Sequence, residues 1–381
     1  MKRLAYVQYS NPAGYPPLEH SSRILANQGW KVLVLGIDIA WMKGFSLPAH
    51  PNITVRQLPA CAPGWRQKLH YAWFTISAVA QTLAWRAEWA YVSDSLACPA
   101  GWLLSLWPGV DVIYHEHDWP ADASSLFIKM VLWTRHHLAL RAKLCVLPNA
   151  RRAEEFCRTV GREARVVCVW NCPTKNEVVA ERPSRNGGDL WILYQGSIVP
   201  ARLPATVIEA FAMLPEQVRL RVIGYETPGH RGYTGQLLAL AEKIGVGHRV
   251  EFDGTVATRA ELFERCHQND VGMAFMPKTS RDINEQAMTG ASNKPFDYLA
   301  CGLALLVSDL PDWQAMYVDA GCALACNPDS AESVATALER FLRRPLEMRQ
   351  MGERGRQRIF AEWNYEKQFE PVLACLNATT K

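Results

Sequence analysis

The sequence has few features of a metal-binding, disulfide-bonded or membrane-spanning protein. Its eleven cysteines include no Cys-x-x-Cys pair, which argues against zinc ribbons and thioredoxin-like redox sites. An odd number of scattered cysteines fits reduced, mostly buried thiols in a cytosolic protein. The longest uncharged runs are Leu69 to Trp85 and Ser95 to Val110. Polar residues interrupt the first run, and Pro and Gly interrupt the second, so neither is a convincing membrane span.

A strong net charge is also absent, because 41 Lys and Arg residues face 37 Asp and Glu residues and leave +4. This balance gives no case for a nucleic-acid partner. The segment Met1 to Tyr9 already has a strand pattern and lacks the apolar core of a signal peptide. With 381 residues, of which 49% are apolar, the chain is predicted to be globular and to form two domains.

Strands and helices are predicted to alternate along both halves of the chain. Apolar runs such as Leu4 to Tyr9, Lys31 to Leu35 and Asp111 to His115 predict strands of the first half. The segment Thr174 to Asp189 contains Pro, Gly and several charges and predicts a linker, after which a second series begins at Leu190. This alternation indicates an α/β fold with doubly wound parallel sheets. Such sheets bind ligands at the carboxyl ends of their strands.

The stretch Gly290 to Gly302 stands out in the second half. Asn293 is predicted to cap a short helix and Gly302 to end it, with a buried strand following. Asp297 lies among apolar residues, where an ionised carboxylate needs a partner. Two interpretations are open: a local ion pair with Lys294, or a carboxylate that holds a sugar hydroxyl near helix amides that face an anion.

Four motifs of the second half are Tyr194-Gln195-Gly196-Ser197, Val222-Ile223-Gly224, Val250-Glu251-Phe252-Asp253-Gly254 and Asn293 to Gly302. In this order they resemble the GT-B glycosyltransferases, most closely glycosyltransferase family 4 (glycosyl transferases group 1). The resemblance implies two Rossmann-like domains facing a cleft: an acceptor-binding domain of residues 1–173 and a nucleotide-sugar-binding domain of residues 189–361. A last helix within residues 362–381 would cross back to the first domain. The resemblance also implies retention at the anomeric carbon, with neither a metal nor another cofactor.

The resemblance further implies a donor site. Arg202 and Lys294 are predicted to act in catalysis, because fixed cations stabilise a departing nucleoside diphosphate; solvated surface charge is the alternative. Asp297 matches the family's ribose-binding acid. The other predicted donor-binding residues are Gly14, Gly196, Ser197, Gly224, Gly254, Thr289, Gly290 and Asn293. Two of these depart from the family pattern: Ser197 stands where Arg is frequent, and Thr289 where an acidic residue is usual.

His117 and Asp118 follow the predicted strand that ends at His115. The resemblance aligns them with the family's His-acid pair near the acceptor. His117 is therefore predicted to contact the transferring sugar or the acceptor, with Asp118 orienting it. A metal site at His115 and His117 is conceivable, but the sequence places no third ligand, so no metal is expected.

Two segments combine aromatic and basic residues. The first contains Trp65, Arg66, Lys68, Trp73, Phe74, Trp85, Arg86 and Trp89, and the second contains Lys129, Trp133, Arg135, His136, His137, Arg141 and Lys143. Such faces suit a membrane interface, while a core stripe beside a solvated face is the alternative. The first interpretation predicts a peripheral protein at the inner face of the membrane.

Together these features predict a cytoplasmic hexosyltransferase that moves a sugar from a nucleotide sugar, with UDP the expected nucleotide. Its acceptor would be a glycan, a lipid-linked molecule or a small molecule, and polysaccharide biosynthesis is one expected setting. A nucleotide-sugar epimerase on the same fold and a non-catalytic sugar-nucleotide-binding relative are the alternatives.

Overall fold

A computed structural model describes residues 2–39, 46–120, 125–161, 165–180 and 188–378. The chain divides into two compact units, residues 1–171 with 365–381, and residues 172–364. Within the described residues, each unit contains one parallel sheet flanked by helices. The predicted α/β class with two doubly wound sheets is therefore confirmed.

The first unit contains a seven-stranded sheet. Its strands are β1 (Arg3–Val7), β2 (Lys31–Ile37), β3 (Ile53–Leu58), β4 (Trp89–Ser93), β5 (Asp111–His115), β6 (Leu144–Leu147) and β7 (Val166–Cys168). The helices that follow these strands are α1 (Pro16–Asn27), α2 (Trp65–Ala84), α3 (Cys98–Ser105), α4 (Leu126–Arg141) and α5 (Ala150–Val160).

The second unit contains a six-stranded sheet. Its strands are β8 (Leu190–Ile198), β9 (Val218–Glu226), β10 (Val250–Gly254), β11 (Val271–Ala274), β12 (Ala304–Ser308) and β13 (Ala323–Cys326). Its helices are α6 (Ala205–Phe211), α7 (Tyr233–Lys243), α8 (Arg259–Cys266), α9 (Ile283–Gln286), α10 (Asn293–Ala300), α11 (Pro311–Trp313), α12 (Ala331–Arg343) and α13 (Pro345–Ala361). The last helix of the chain, α14 (Tyr365–Ala378), belongs to the first unit.

The order of the strands fixes where each sheet offers a crevice. The first sheet runs β3-β2-β1-β4-β5-β6-β7, so the direction of connection reverses between β1 and β4. The second sheet runs β10-β9-β8-β11-β12-β13, and the reversal lies between β8 and β11. In open α/β sheets the loops diverge at such a switch point and leave a crevice at the carboxyl ends of the strands.

The first sheet has apolar packing on both faces. Successive residues of β1 point to opposite faces, with Ala5 and Val7 in one buried cluster and Leu4 and Tyr6 in the other. Helix α14 contributes residues to the second cluster at helical spacing, namely Tyr365, Phe369, Val372 and Leu376. Burying side chains of this kind stabilises a fold by about 1.5–3 kcal/mol each. The prediction that the last helix packs on the first domain is therefore confirmed.

Helix α10 carries the stretch that the sequence singled out. Ser292 is its N-cap, with an extended backbone (φ −82°, ψ 124°) and no capping bond from its side chain. The prediction that Asn293 is the cap is wrong, because Asn293 is already the first helical residue. Gly302 follows the helix with a φ of 72°, and β12 is buried at every position, as expected.

Candidate functional site

The switch point of the second sheet lies beside Gly196, near the carboxyl end of β8. Gly196 has a φ of 110°, and a Cβ atom there would come within 2.5 Å of Lys294 Cε. Gly224, its partner on β9, would place a Cβ atom 1.9 Å from the Gly196 carbonyl oxygen. Gly224 requires glycine because the backbone of Gly196 approaches too closely for a side chain, and Gly196 favours glycine because of its positive φ.

Lys294 extends from the first turn of α10 onto this glycine pair. Its Nζ lies 3.2 Å from Tyr194 Oη and 4.7 Å from the centre of the Tyr194 ring. The Tyr194 hydroxyl in turn donates to the Ser197 carbonyl oxygen at 2.5 Å. Burial, helped by the positive charge of Arg202, lowers the pKa of Lys294 to about 7. A cation held in this way gains stability from a bound anion, so the cluster suits a phosphate group.

Asp297 lies one turn further along α10 and is 2% exposed. Its Oδ1 accepts from Arg259 Nη2 at 2.9 Å, and its Oδ2 accepts from the Gln195 amide at 3.2 Å. Arg259 also donates from Nε to Glu177 Oε1 at 2.7 Å. The partner of Asp297 is therefore Arg259, and the local pair with Lys294 is not formed. Arg259 is the first residue of α8, and the Thr258 side chain caps this helix.

Of the other predicted donor residues, Thr289 and Gly290 precede α10 in the sequence, and Gly254 lies at the end of another strand. Thr289 donates its hydroxyl hydrogen to Asp312 Oδ2, so a carboxylate lies next to the position where the family pattern has an acid. Gly290, between Thr289 and α10, has a φ of 80°. Gly254, at the end of β10, has a φ of 71°. The structure thus joins Gly196, Gly224 and Lys294 by direct contact, while Gly254 marks a turn.

His117 lies just beyond β5 in the first unit and is 6% exposed. Its Nε2 is 3.0 Å from Ser93 Oγ, so Ser93, rather than Asp118, orients the ring. Burial, with the positive charge of Arg152, lowers the pKa of His117 to about 3, so the imidazole is neutral at physiological pH. Its Nδ1 is buried and has no hydrogen-bond partner among the described residues. A buried ring nitrogen of this kind can form a hydrogen bond with a ligand or a water molecule.

The two acidic residues next to His117 in the sequence, Glu116 and Asp118, differ in exposure and in their partners. The Asp118 side chain is 73% exposed, with Oδ1 3.8 Å from Arg152 Nη1. Arg152 Nη1 also donates to the His117 carbonyl oxygen at 2.7 Å. Glu116 is buried and accepts two bonds from Arg135, at 2.5 and 2.8 Å. This paired geometry assigns Glu116 to the support of the loop, since both of its oxygens face inward to Arg135.

Asp94 also borders His117, although no motif or pattern in the sequence singles it out. It follows β4 directly and has a backbone conformation of φ 66° and ψ 165°. Its Oδ1 accepts from the His117 amide at 2.9 Å and from the Asp118 amide at 3.5 Å. Burial is the main reason that the pKa of Asp94 is raised to about 8, and the negative charge of Asp118 is the second reason.

The loop after β1 approaches the same residues. Asn11 accepts from the Ala13 amide through its side chain at 3.1 Å, and the Gly14 amide donates to the Asn11 carbonyl oxygen at 3.1 Å. The Tyr15 ring lies 5.5 Å from the His117 ring, measured between centres. The predicted residue Gly14 is thus part of a short turn whose next residue borders His117.

Comparison with known proteins connects this geometry to a family. Residues 204–374 match the family described as Glycosyl transferase-like. The match covers less than half of the chain, while the likeness to solved structures extends over the whole chain and shows the GT-B fold. No curated protein sequence matches the chain significantly.

Three solved structures illustrate the likeness of this GT-B protein to others. Sucrose-phosphate synthase from Thermosynechococcus elongatus has a TM-score of 0.74 at 17% identity, with 100% of both chains covered. HepE from Anabaena, in complex with UDP and glucose, has a TM-score of 0.74 at 14% identity, covering 99% of this chain and 100% of that chain. WaaG, a glycosyltransferase involved in lipopolysaccharide biosynthesis, has a TM-score of 0.61 at 17% identity, again covering 99% and 100%. At these identities the likeness shows the fold.

The surface of the GT-B protein's first unit carries an apolar stripe on α2. Trp65, Leu69, Trp73 and Ile76 share one helix face and are between 60% and 67% exposed. Helix α2 packs beside α3, and α3 packs beside α4, where Leu126, Met130 and Trp133 are also exposed. Other aromatic and basic residues of these segments are interior: Phe74 and Trp89 are buried in the core, and Arg135 is paired with Glu116.

The geometry and the hydropathy of the described residues also bear on metal binding and on membrane spanning. Within the described ranges, no group of three or more His, Cys, Asp or Glu residues is arranged to hold a metal ion. Among the helices described, none is both long enough and apolar enough to span a bilayer.

Proposed function

We propose that this protein is a hexosyltransferase that moves a sugar from UDP to a glycan, lipid-linked or small-molecule acceptor, with retention at the anomeric carbon and without a metal. The C-terminal unit would bind the donor and the N-terminal unit the acceptor. The observation that carries the proposal is the close approach of Lys294 to Gly196, which packs on Gly224 at the switch point of the second sheet. Support for UDP comes from HepE, whose structures contain UDP and UDP-glucose.

The chemistry of the donor site follows from its charges. As the bond between the anomeric carbon and the phosphate oxygen breaks, negative charge grows on the diphosphate. Lys294, which gains a proton when an anion approaches, and Arg202 would stabilise that charge, as would backbone amides near Gly196. Two fixed cations can perform this task without a metal ion. In a one-step transfer with retention, the acceptor hydroxyl attacks from the departing side, and its proton passes to the leaving phosphate oxygen.

The acceptor site would use the neutral His117 ring. Its Nδ1 is buried and has no partner among the described residues, and a sugar hydroxyl could supply the missing bond. Because its pKa is about 3, His117 would act as a hydrogen-bonding group that stays uncharged through the reaction. Asp118 is exposed beside it and would meet a second hydroxyl of the acceptor or the transferring sugar.

The first test is a thermal-shift panel of UDP-, GDP-, ADP- and TDP-sugars, because a bound donor stabilises the native state by mass action. We expect UDP-sugars to raise Tm, and Lys294→Met to remove the shift. Lys243→Met, on the exposed end of α7, should keep it. Transfer to an acceptor array in EDTA, with the anomeric configuration of the product assigned by NMR, then tests metal independence and retention. Activity that requires a divalent metal, or an inverted product, would contradict the mechanism.

A non-catalytic sugar-nucleotide-binding protein is the second candidate. Ser197 and Thr289 favour it, because they lack the cation and the acid of the family pattern, and Asp297 is already paired with Arg259. Tight UDP-sugar binding with neither transfer nor donor hydrolysis across the acceptor array would establish this alternative.

We further propose that the exposed apolar residues of α2 and α4 form a surface that contacts the cytoplasmic face of an anionic membrane. This contact would bring the enzyme to a lipid-linked acceptor. The four apolar side chains of α2 lie beside the exposed cations Arg66 and Lys68, and α4 adds Lys129. Apolar anchors flanked by cations complement an anionic lipid surface. This argument requires the stripe to be accessible, which its exposure supports.

Co-sedimentation with vesicles tests the membrane contact. We expect binding to vesicles that contain phosphatidylserine, weaker binding to phosphatidylcholine alone, and loss of binding in Trp65→Ser/Trp73→Ser. Leu346→Ser, an exposed apolar residue of α13, is the matched control. Equal recovery of wild type and the double variant with anionic vesicles would reject this surface.

A further inference from the structure

Asp94 has a backbone conformation that non-glycine residues rarely adopt. Its φ of 66° with ψ of 165° falls in a region that is essentially reserved for glycine. The residue lies at the carboxyl end of β4, directly at the switch point of the first sheet. An unfavourable backbone held at this position needs a compensating interaction, and the surroundings of Asp94 supply one.

The turn at Asp94 brings the side chains of Ser93 and Asp94 to the same residue, His117. In a continuing strand, Ser93 and Asp94 would point to opposite faces. Instead, Ser93 Oγ meets the His117 ring at 3.0 Å, while Asp94 Oδ1 accepts from the His117 amide at 2.9 Å. The Asp94 amide also donates to the His115 carbonyl oxygen at 2.8 Å. The ring and the backbone of His117 are therefore fixed by neighbouring residues of one strand end.

We propose that Asp94 is the positioning residue of the acceptor site, where its side-chain oxygen holds the amides of His117 and Asp118 so that His117 Nδ1 meets the acceptor. This inference rests on the proposed function for the identity of the ligand. The separate observation that favours a ligand at this place is His117 Nδ1, which is buried and has no partner among the described residues. Asp94 acts through His117, and it does not itself need to touch the acceptor.

The protonation of Asp94 matters for this role. The titratable or charged groups that influence it or border it are Glu116, Asp118, His117 and Tyr15, with Arg152 behind His117. Because its pKa is raised to about 8, Asp94 is protonated at neutral pH and its carbonyl-type oxygen accepts from the amides. Above pH 8, the ionised form adds a second negative charge beside Asp118. The asparagine variant imitates the neutral form and keeps the accepting oxygen.

Hydrogen–deuterium exchange of a peptide covering residues 115–119 tests the positioning directly. We expect the amides of His117 and Asp118 to exchange faster in Asp94→Ala and Asp94→Gly, and at the wild-type rate in Asp94→Asn. Asp94→Gly removes the unfavourable side chain from this backbone, so its Tm should not fall even though its exchange rises. Asp111→Asn, at the opposite end of β5, should change neither measurement. Unchanged protection in Asp94→Gly would overturn the proposal.

Transfer kinetics provide the second measurement. Asp94→Gly should lose roughly 10- to 100-fold in kcat/KM, the effect of misplacing a site residue by about 1 Å. Asp94→Asn should keep wild-type kcat/KM at pH 7. Above pH 8 we expect it to decline less than wild type, because only the contribution of Lys294 to the pH dependence remains. If Asp94→Asn is as inactive as Asp94→Gly while its amides stay protected, Asp94 acts on the substrate and the positioning role is wrong. If wild type transfers no sugar, the proposed function fails, yet the exchange experiment still decides the role of Asp94.

Discussion

Lys294 should make donor binding depend on pH in a way that can be measured. An ordinary lysine is charged throughout the physiological range, but burial and Arg202 hold the pKa of Lys294 near 7 in the free protein. An anionic diphosphate beside Nζ favours the charged form and raises that pKa. Binding should therefore take up a proton, and affinity should fall as pH rises above 7, by up to about tenfold per pH unit while the bound lysine stays protonated.

The size of the effect follows from the pKa of about 7. At pH 7.5 about three quarters of the free protein carries a neutral Lys294, so binding should take up roughly 0.75 proton, against about 0.1 at pH 6. Titration calorimetry of UDP-glucose in buffers that differ in ionisation enthalpy measures this number. UDP-glucose is preferred to UDP, because its diphosphate has no terminal phosphate group that titrates in this range.

Two variants test whether Lys294 is the group that takes up the proton. Lys294→Met should bind more weakly at pH 6 and take up no proton at either pH, whereas Lys243→Met should behave as wild type. Proton uptake below about 0.2 at pH 7.5, or uptake that survives in Lys294→Met, would refute the assignment of the coupled proton to Lys294. The stability of the ligand-free protein should depend on pH as well. Because the pKa of Lys294 is lowered in the folded protein, the unfolded chain binds more protons between pH 7 and 10.5, so the contribution of Lys294 to stability increases with pH.

Three further predictions concern the supports of the two sites. Gly224→Ala places a methyl group against the backbone of β8 and should lower the free energy of unfolding by about 1–3 kcal/mol in urea, while Gly229→Ala, with no atom within 4 Å, should not. Arg259→Met leaves the buried Asp297 without its cation and should cost about 3–5 kcal/mol, partly recovered by adding Asp297→Asn; an additive double variant would contradict the pair. Because the pKa of His117 is lowered to about 3, the pH profile of kcat/KM should show no inflection near pH 6.5 that comes from this residue. An inflection there that disappears in His117→Gln would contradict the conclusion that His117 is neutral.

The sequence was informative where one local pattern determined the structure. The uncharged run after Gly302 predicted the buried strand β12. Strand β13 was missed, because its four residues are mostly small and give no periodic signal. The cap of α10 was placed one residue late, because Ser292 and Asn293 are both good cap residues.

The interactions that build the sites could not be predicted in the same way. The ion pair between Arg259 and Asp297 joins residues 38 positions apart, and only the fold brings them together. Asp94 carries no motif, and its importance comes from a backbone angle and from amides 23 and 24 positions away. The predicted site residues were chosen through resemblance, and their roles in binding and transfer stay predictions until the variants above are measured.

The packing of α14 has a consequence for how the protein is made. The chain leaves the first unit at residue 171 and returns to it only at residue 365, after the whole second unit. A ribosome therefore releases the first sheet with one apolar face incomplete, and the second unit must be synthesised before Tyr365, Phe369 and their neighbours can cover it. The first unit is thus the last to reach its final packing, although it is the first to be translated. Loss of only the C-terminal helix should expose that face to aggregation and to chaperones.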